Sequence, residues 1–145
     1  MIRGVTLGEE IIVTTKNKVG LLAEIATMLA NEGVNIHSVV AYEIEDVAKL
    51  MLVTNANIKI IDELRKKKYM SVEEIEVVLV DLENKRGALK VVTTELAKAK
   101  IDIKRIYVTS ASTKEGSSKM VLWTSDNEAA IEVLSQYLPG EGKAL

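Results

Sequence analysis

The chain of 145 residues has the length of one average domain or two small ones. Its formal charge of -2 supplies no attraction to nucleic acid or to an anionic membrane, and it demands no basic partner. It contains no cysteine, so disulfides, thiolate metal sites and thiol nucleophiles are excluded. Met1-Ile2-Arg3-Gly4 lacks a signal-peptide core and no apolar run approaches a membrane span, so a cytoplasmic location is expected.

In chain order, Ile2 to Thr6 is a short extended segment, and Glu10 to Thr15 is a β-branched run that reads as a strand. Asn17 to Gly20 turns the chain into a helix whose apolar stripe is Leu22, Ile25, Ala26 and Leu29, ended by Gly33. Two strands follow, Asn35 to Glu43 and Val47 to Thr54, joined by a short acidic turn at Glu45-Asp46. A second helix then faces inward through Ile58, Ile61 and Leu64. The basic run Arg65 to Lys68 at its C-terminal end complements the helix dipole, a reading favoured over a polyanion site. Ser71 to Ile75 and Glu76 to Leu82 are extended.

From there the chain repeats itself. Asn17-Lys18-Val19-Gly20-Leu21-Leu22 returns as Asn84-Lys85-Arg86-Gly87-Ala88-Leu89, and eight of the 24 positions that begin there are identical. The helical stripe returns as Leu89, Val92, Thr93 and Leu96. The paired strands return as Asp102 to Thr109 and Lys119 to Thr124, joined by the longer polar stretch Ser110 to Ser118, which is expected to be the most mobile loop. The last helix faces inward through Ile131, Leu134 and Leu138.

Strand, helix, strand, strand, helix, strand predicts an α+β protein of two ferredoxin-like βαββαβ units, with antiparallel sheets and helices on one face. Residues 1–75 form the first domain and 76–145 the second. After Leu138 too little chain remains for a last strand, so the N-terminal segment Ile2 to Thr6 is expected to complete the second unit and cover its edge. Strands such as Leu50-Met51-Leu52-Val53 and Val77-Val78-Leu79-Val80 are apolar on both faces. The face away from the helices must therefore meet a second sheet, in this chain or a partner, and a homo-oligomer is expected over a monomer.

Gly20 and Gly87 each stand where a strand hands over to a helix. The first helix amides there form an anion site that suits a carboxylate, and Asn17 and Asn84 either cap the turn or bond a ligand. His37, the only histidine, has no second ligand for a metal and reads as a surface or interface residue. No nucleophile elbow, phosphate loop or zinc-protease motif occurs, and spacing pairs no two carboxylates as acid and base. The sequence thus offers no catalytic residue, no metal ligand and no cofactor. RNA recognition is disfavoured because there is no Phe, and Tyr107 and Trp123 stand isolated.

Residues Asn17 to Ile25 with Asn35-Ile36, and Asn84 to Gly87 with Asp102-Ile103, resemble the ACT domain, a ligand-binding module of regulated amino-acid metabolism. The resemblance covers nearly the whole chain as two tandem units. Ile2-Arg3-Gly4-Val5-Thr6 looks like the segment entering the regulatory region of aspartate kinases, with no kinase domain present. The resemblance implies an amino-acid effector held where paired units join side by side, lined by Asn17, Val19, Gly20, Leu21, Asn35 and Ile36, then Asn84, Arg86, Gly87, Ala88, Asp102 and Ile103. The family often has Asp at the positions of Asn17 and Asn84, and Pro where Val19 and Arg86 stand. Lys100 replaces Gly33 and Asp102 replaces Asn35 in the second copy, which makes its loop more charged. The expected protein is a non-enzymatic regulator that binds an amino acid and controls a metabolic enzyme or its own assembly. The alternative is a structural or regulatory subunit of a biosynthetic enzyme with both loops empty.

Overall fold

A computed structural model describes residues 1–110 and 116–140. The elements are β1 (Ile2–Lys16), α1 (Leu21–Asn31), β2 (Ile36–Ile44), β3 (Val47–Thr54), α2 (Asn57–Arg65), β4 (Ser71–Glu83), α3 (Ala88–Lys98), β5 (Ile103–Ser110), β6 (Ser117–Thr124) and α4 (Asn127–Ser135). They form two compact units, one of Glu9–Ile75 and one of Met1–Gly8 with the described residues from Glu76 on. The boundaries fall inside β1 and β4, so each of these long strands serves both units.

In the first unit the strand neighbours run β2-β3-β1-β4. β1 is antiparallel to β3 from Ile11↔Leu52 to Lys16↔Val47, and β2 is antiparallel to β3 from Ile36↔Thr54 to Ile44↔Val47. The β2–β3 connection is Glu45-Asp46 alone. Both residues have left-handed φ, of 50° and 65°, which is the two-residue hairpin turn whose twist matches that of the strands. Ile11, Val13, Leu50 and Leu52 on one face meet Leu21, Ile25 and Leu29 of α1 and Ile60 and Leu64 of α2.

The second unit repeats this plan in the order β5-β6-β4-β1. β4 pairs with β6 from Val78↔Leu122 to Glu83↔Ser117, and β5 with β6 from Ile103↔Thr124 onward. Its fourth strand is the beginning of β1, where the Glu83 amide donates to the Met1 carbonyl at 2.7 Å. Ile2 is wholly buried there among Val78, Val80, Leu82, Met120 and Leu122, below Val92 and Leu96 of α3 and Ala130 and Leu134 of α4. The expected ferredoxin-like arrangement, including the N-terminal completion of the second unit, is the arrangement found.

Two side-chain expectations are corrected. The buried stripe of α1 begins at Leu21, with Leu22 43% exposed, and that of α3 begins at Ala88, with Leu89 50% exposed. On α2, Ile58 is 86% exposed while Ile60 and Leu64 are buried, because two residues of helix turn a side chain about 200° around the axis. The sheet faces away from the helices are covered too. Ile12, Met51 and Val53 alternate with core residues in the first unit, as Val77 and Val121 do in the second, yet all five are buried within the single chain. Their apolar character therefore does not by itself require a second copy. Of the Ser110 to Ser118 connection, residues 111–115 lie outside the described residues, and so does its expected mobility.

Candidate effector site

The β1–α1 turn is built by backbone contacts. The Asn17 amide donates to the Asp46 carbonyl at 2.6 Å, which ties the turn to the β2–β3 hairpin, and the Leu21 amide donates to the Lys18 carbonyl at 3.3 Å. Gly20 has φ 88°, a left-handed conformation that favours glycine, and a Cβ there would meet nothing within 4 Å. No side chain caps α1 or α3, so Asn17 and Asn84 are not helix caps. With the Leu21 amide taken by the Lys18 carbonyl, the Leu22 and Ala23 amides are left to a ligand or to water.

Beside this helix start lies a cleft of about 380 Å³. Asn17, Lys18, Gly20, Leu22 and Ala23 line one side, Ala41, Tyr42 and Glu43 of β2 another, and Leu21, Ala48 and Leu50 the apolar remainder. Glu43 Oε1 accepts the Asp46 amide at 2.9 Å, which fixes its carboxylate at the rim. The cleft thus combines the positive end of a helix, a fixed carboxylate and an apolar wall. That set complements a zwitterion with a short side chain.

The residues singled out from sequence do not all converge here. Asn17, Gly20 and Leu21 line the cleft, whereas Val19 is fully exposed and outside it. Asn35 and Ile36 stand at the opposite end of β3, since Lys16 pairs with Val47 but Ile36 with Thr54. Seven residues of strand separate these points, roughly 23 Å. The Asn35 amide donates to Asn55 Oδ1 at 3.0 Å and its carbonyl accepts from the Asn55 amide at 3.1 Å, a closure of the strand start.

The second unit has the same separation. Asn84, whose amide bonds the Gly116 carbonyl, precedes exposed Arg86, Gly87 with φ 89° and buried Ala88 at one end. Asp102 and Ile103 stand at the other, where the Asp102 amide donates to Ser125 Oγ at 2.9 Å and Lys104 pairs with its carboxylate at 3.2 Å. Within each unit the two groups belong to different places. Tyr42, Glu43, Leu22 and Ala23 escaped the sequence reading, because only the hairpin geometry brings β2 over the helix start.

Among the described residues no cluster of three or more His, Cys, Asp or Glu could hold a metal, and no helix is long and apolar enough to cross a membrane.

Residues 10–73 match the family model of the ACT domain. No curated protein matches the chain in sequence. Among solved structures, protein BT0572 from Bacteroides thetaiotaomicron superposes with a TM-score of 0.81 at 23% identity, over 91% of this chain and 89% of that one. The ligand-free regulatory subunit of aspartate kinase from Thermus thermophilus does so with a TM-score of 0.62 at 14% identity, over 94% and 98%. Aspartate kinase from Clostridium acetobutylicum gives 0.58 at 19% identity, over 94% of this chain and 34% of that one. At these identities the structures speak for the fold. The fold is α+β, of two βαββαβ units, and the chain carries a match to the ACT domain over residues 10–73.

Proposed function

We propose that the chain is a non-enzymatic regulator that binds a free amino acid in the cleft between the α1 start and β2. The observation that carries this reading is the pairing of the uncapped helix amides of Leu22 and Ala23 with the Glu43 carboxylate across about 380 Å³. The α-carboxylate of the ligand takes the helix amides, its ammonium faces Glu43, and its side chain rests on Leu22, Tyr42 and Leu50. The likeness in fold to a regulatory subunit of aspartate kinase supports the same class of role. Control of a metabolic enzyme, or of the chain's own assembly, then follows by linkage: the ligand shifts that equilibrium by its differential affinity for the two states. The edge strand β2 carries exposed Val39, Tyr42 and Ile44, a surface on which copies of the chain can pair next to the bound ligand.

The test is a thermal-shift panel of the free amino acids. At least one raises the melting temperature with concentration, by about 2.7 kcal/mol of added stability at a hundredfold excess over Kd. Gly20→Asp removes that shift by setting a carboxylate against the helix amides. A full panel without any shift in the intact chain favours the structural-subunit reading.

A further inference from the structure

The first unit has a second cleft, of about 400 Å³, on the other side of the β1–α1 turn. Its walls combine Lys16 and Lys18 from the end of β1 and the turn with Lys67, Lys68 and Tyr69 from the α2–β4 connection, and Glu24 of α1. We propose that it is a separate anion site that takes a small molecule bearing a phosphate group.

Charge is the first argument. Four ammonium groups and one carboxylate give the cleft a formal excess of three positive charges, on a chain whose net charge is -2. Lys18 Nζ holds Glu24 at 2.8 Å, and among the described residues the other three lysines make no salt bridge. That field is felt at Glu24: its hydrogen bond from Lys18, with Lys67 adding, holds its carboxyl below the ordinary range. Bringing like charges together is unfavourable unless something neutralises them, and a dianion does so with one ligand.

The second argument is a buried phenol. The Tyr69 hydroxyl is buried at the cleft, beside Glu24. Burial, then the nearby Glu24 charge and hydrogen bonding to Glu24, pushes it above the ordinary phenol range, so it stays a protonated donor. A ligand oxygen can take that donor in place of the Glu24 carboxylate.

The repeat supplies the third. Solvation of the α2 end and complementarity to its dipole account for Lys67 and Lys68, but not for Lys16 and Lys18, which come from another element. In the second unit the matching positions are Glu83, Lys85, Tyr137 and Leu138, which keep one of the four ammonium groups. There Lys85 sits 3.0 Å from Glu83 and, with the N-terminus and Arg3, holds its carboxyl below the ordinary range. The same fold therefore forms without the lysine cluster.

The experiment is calorimetric titration of the full chain with sodium pyrophosphate and with inorganic phosphate, against sodium chloride of matched ionic strength and against citrate. Saturable binding of pyrophosphate is expected, weakened at least tenfold in Lys67→Gln/Lys68→Gln and in Lys16→Gln, and unchanged in Lys98→Gln, which lies on α3. Amino-acid binding in the double variant is expected to be that of the intact chain, which separates this site from the effector cleft. No saturable heat beyond chloride, equal binding by the double variant, or citrate binding as tight as pyrophosphate overturns the proposal.

Discussion

Asn57 and Asn127 show how a single side chain joins three elements. Asn57 Oδ1 accepts from the Thr54 amide at 3.2 Å and its hydroxyl at 2.5 Å, while Nδ2 donates to the Glu9 carbonyl at 2.9 Å. Asn127 does the same with Thr124, at 3.0 and 2.9 Å, and with the Glu76 carbonyl at 2.9 Å. Each asparagine thus holds a strand end, a helix start and the neighbouring strand together. Asn127→Ala is expected to lower stability by about 2 kcal/mol, since three bonds of roughly 1 kcal/mol each are lost and water restores part of them. Urea denaturation checks this: the midpoint falls while the m-value stays constant. Asn127→Asp keeps the acceptor but loses the donor to Glu76, and falls in between. This Thr-x-x-Asn pair was present in the sequence, but its copies lie 70 residues apart rather than 67. The β5–β6 connection is longer than the Glu45-Asp46 turn, and the shifted spacing hid the match.

At the scale of the element, periodicity located the four helices of the described residues but placed the buried stripe one residue late on α1 and α3. Leu21, Ile25 and Leu29 satisfy the helical spacing as well as Leu22, Ile25 and Leu29 do, and only the left-handed Gly20 selects the first set. The helix ends were easier to read. Gly33 donates to the Ala30 carbonyl at 3.0 Å and Val34 to Leu29 at 2.9 Å, and Lys100 and Ile101 repeat this with Ala97 and Leu96 at 3.0 and 2.9 Å. Both are Schellman caps, closed by apolar contact between the residue after the cap and the last inward helix position. In the second cap the left-handed residue is Lys100, at φ 58°, where a side chain crowds the following carbonyl. Lys100→Gly is therefore expected to stabilise the chain by about 0.5–1 kcal/mol, the relief of that crowding less the backbone entropy of glycine. Thermal melting checks it, with a rise of a few degrees for Lys100→Gly and a comparable fall for Gly33→Lys.

At the scale of the whole molecule the fold was legible because the chain is duplicated, and the extended segment before Glu10 supplies the second unit's fourth strand. The candidate site was less legible. Similar residues at the turn and at the next strand start suggested one place, but a strand of eight residues carries its two ends far apart, and sequence order does not reveal that distance. The shared strand leads to the last expectation. Unit Glu9–Ile75 contains its own four strands, whereas the second unit depends on residues from the far end of the chain. Ile2 is fully buried among Val78, Val80 and Leu82, and the Met1 carbonyl holds the Glu83 amide. Ile2→Ala is expected to cost about 3 kcal/mol, the range for truncating a buried isoleucine in a core that cannot collapse. Deleting residues 1–6 removes the ladder bonds as well and exposes the β4 edge, so amide exchange protection is lost in α3, β5, β6 and α4 while β2, β3, α1 and α2 keep theirs. Uniform loss of protection through both units means that they unfold as one body. Unchanged protection means that the edge strand contributes nothing to the second core, and the assignment of Ile2 to it fails.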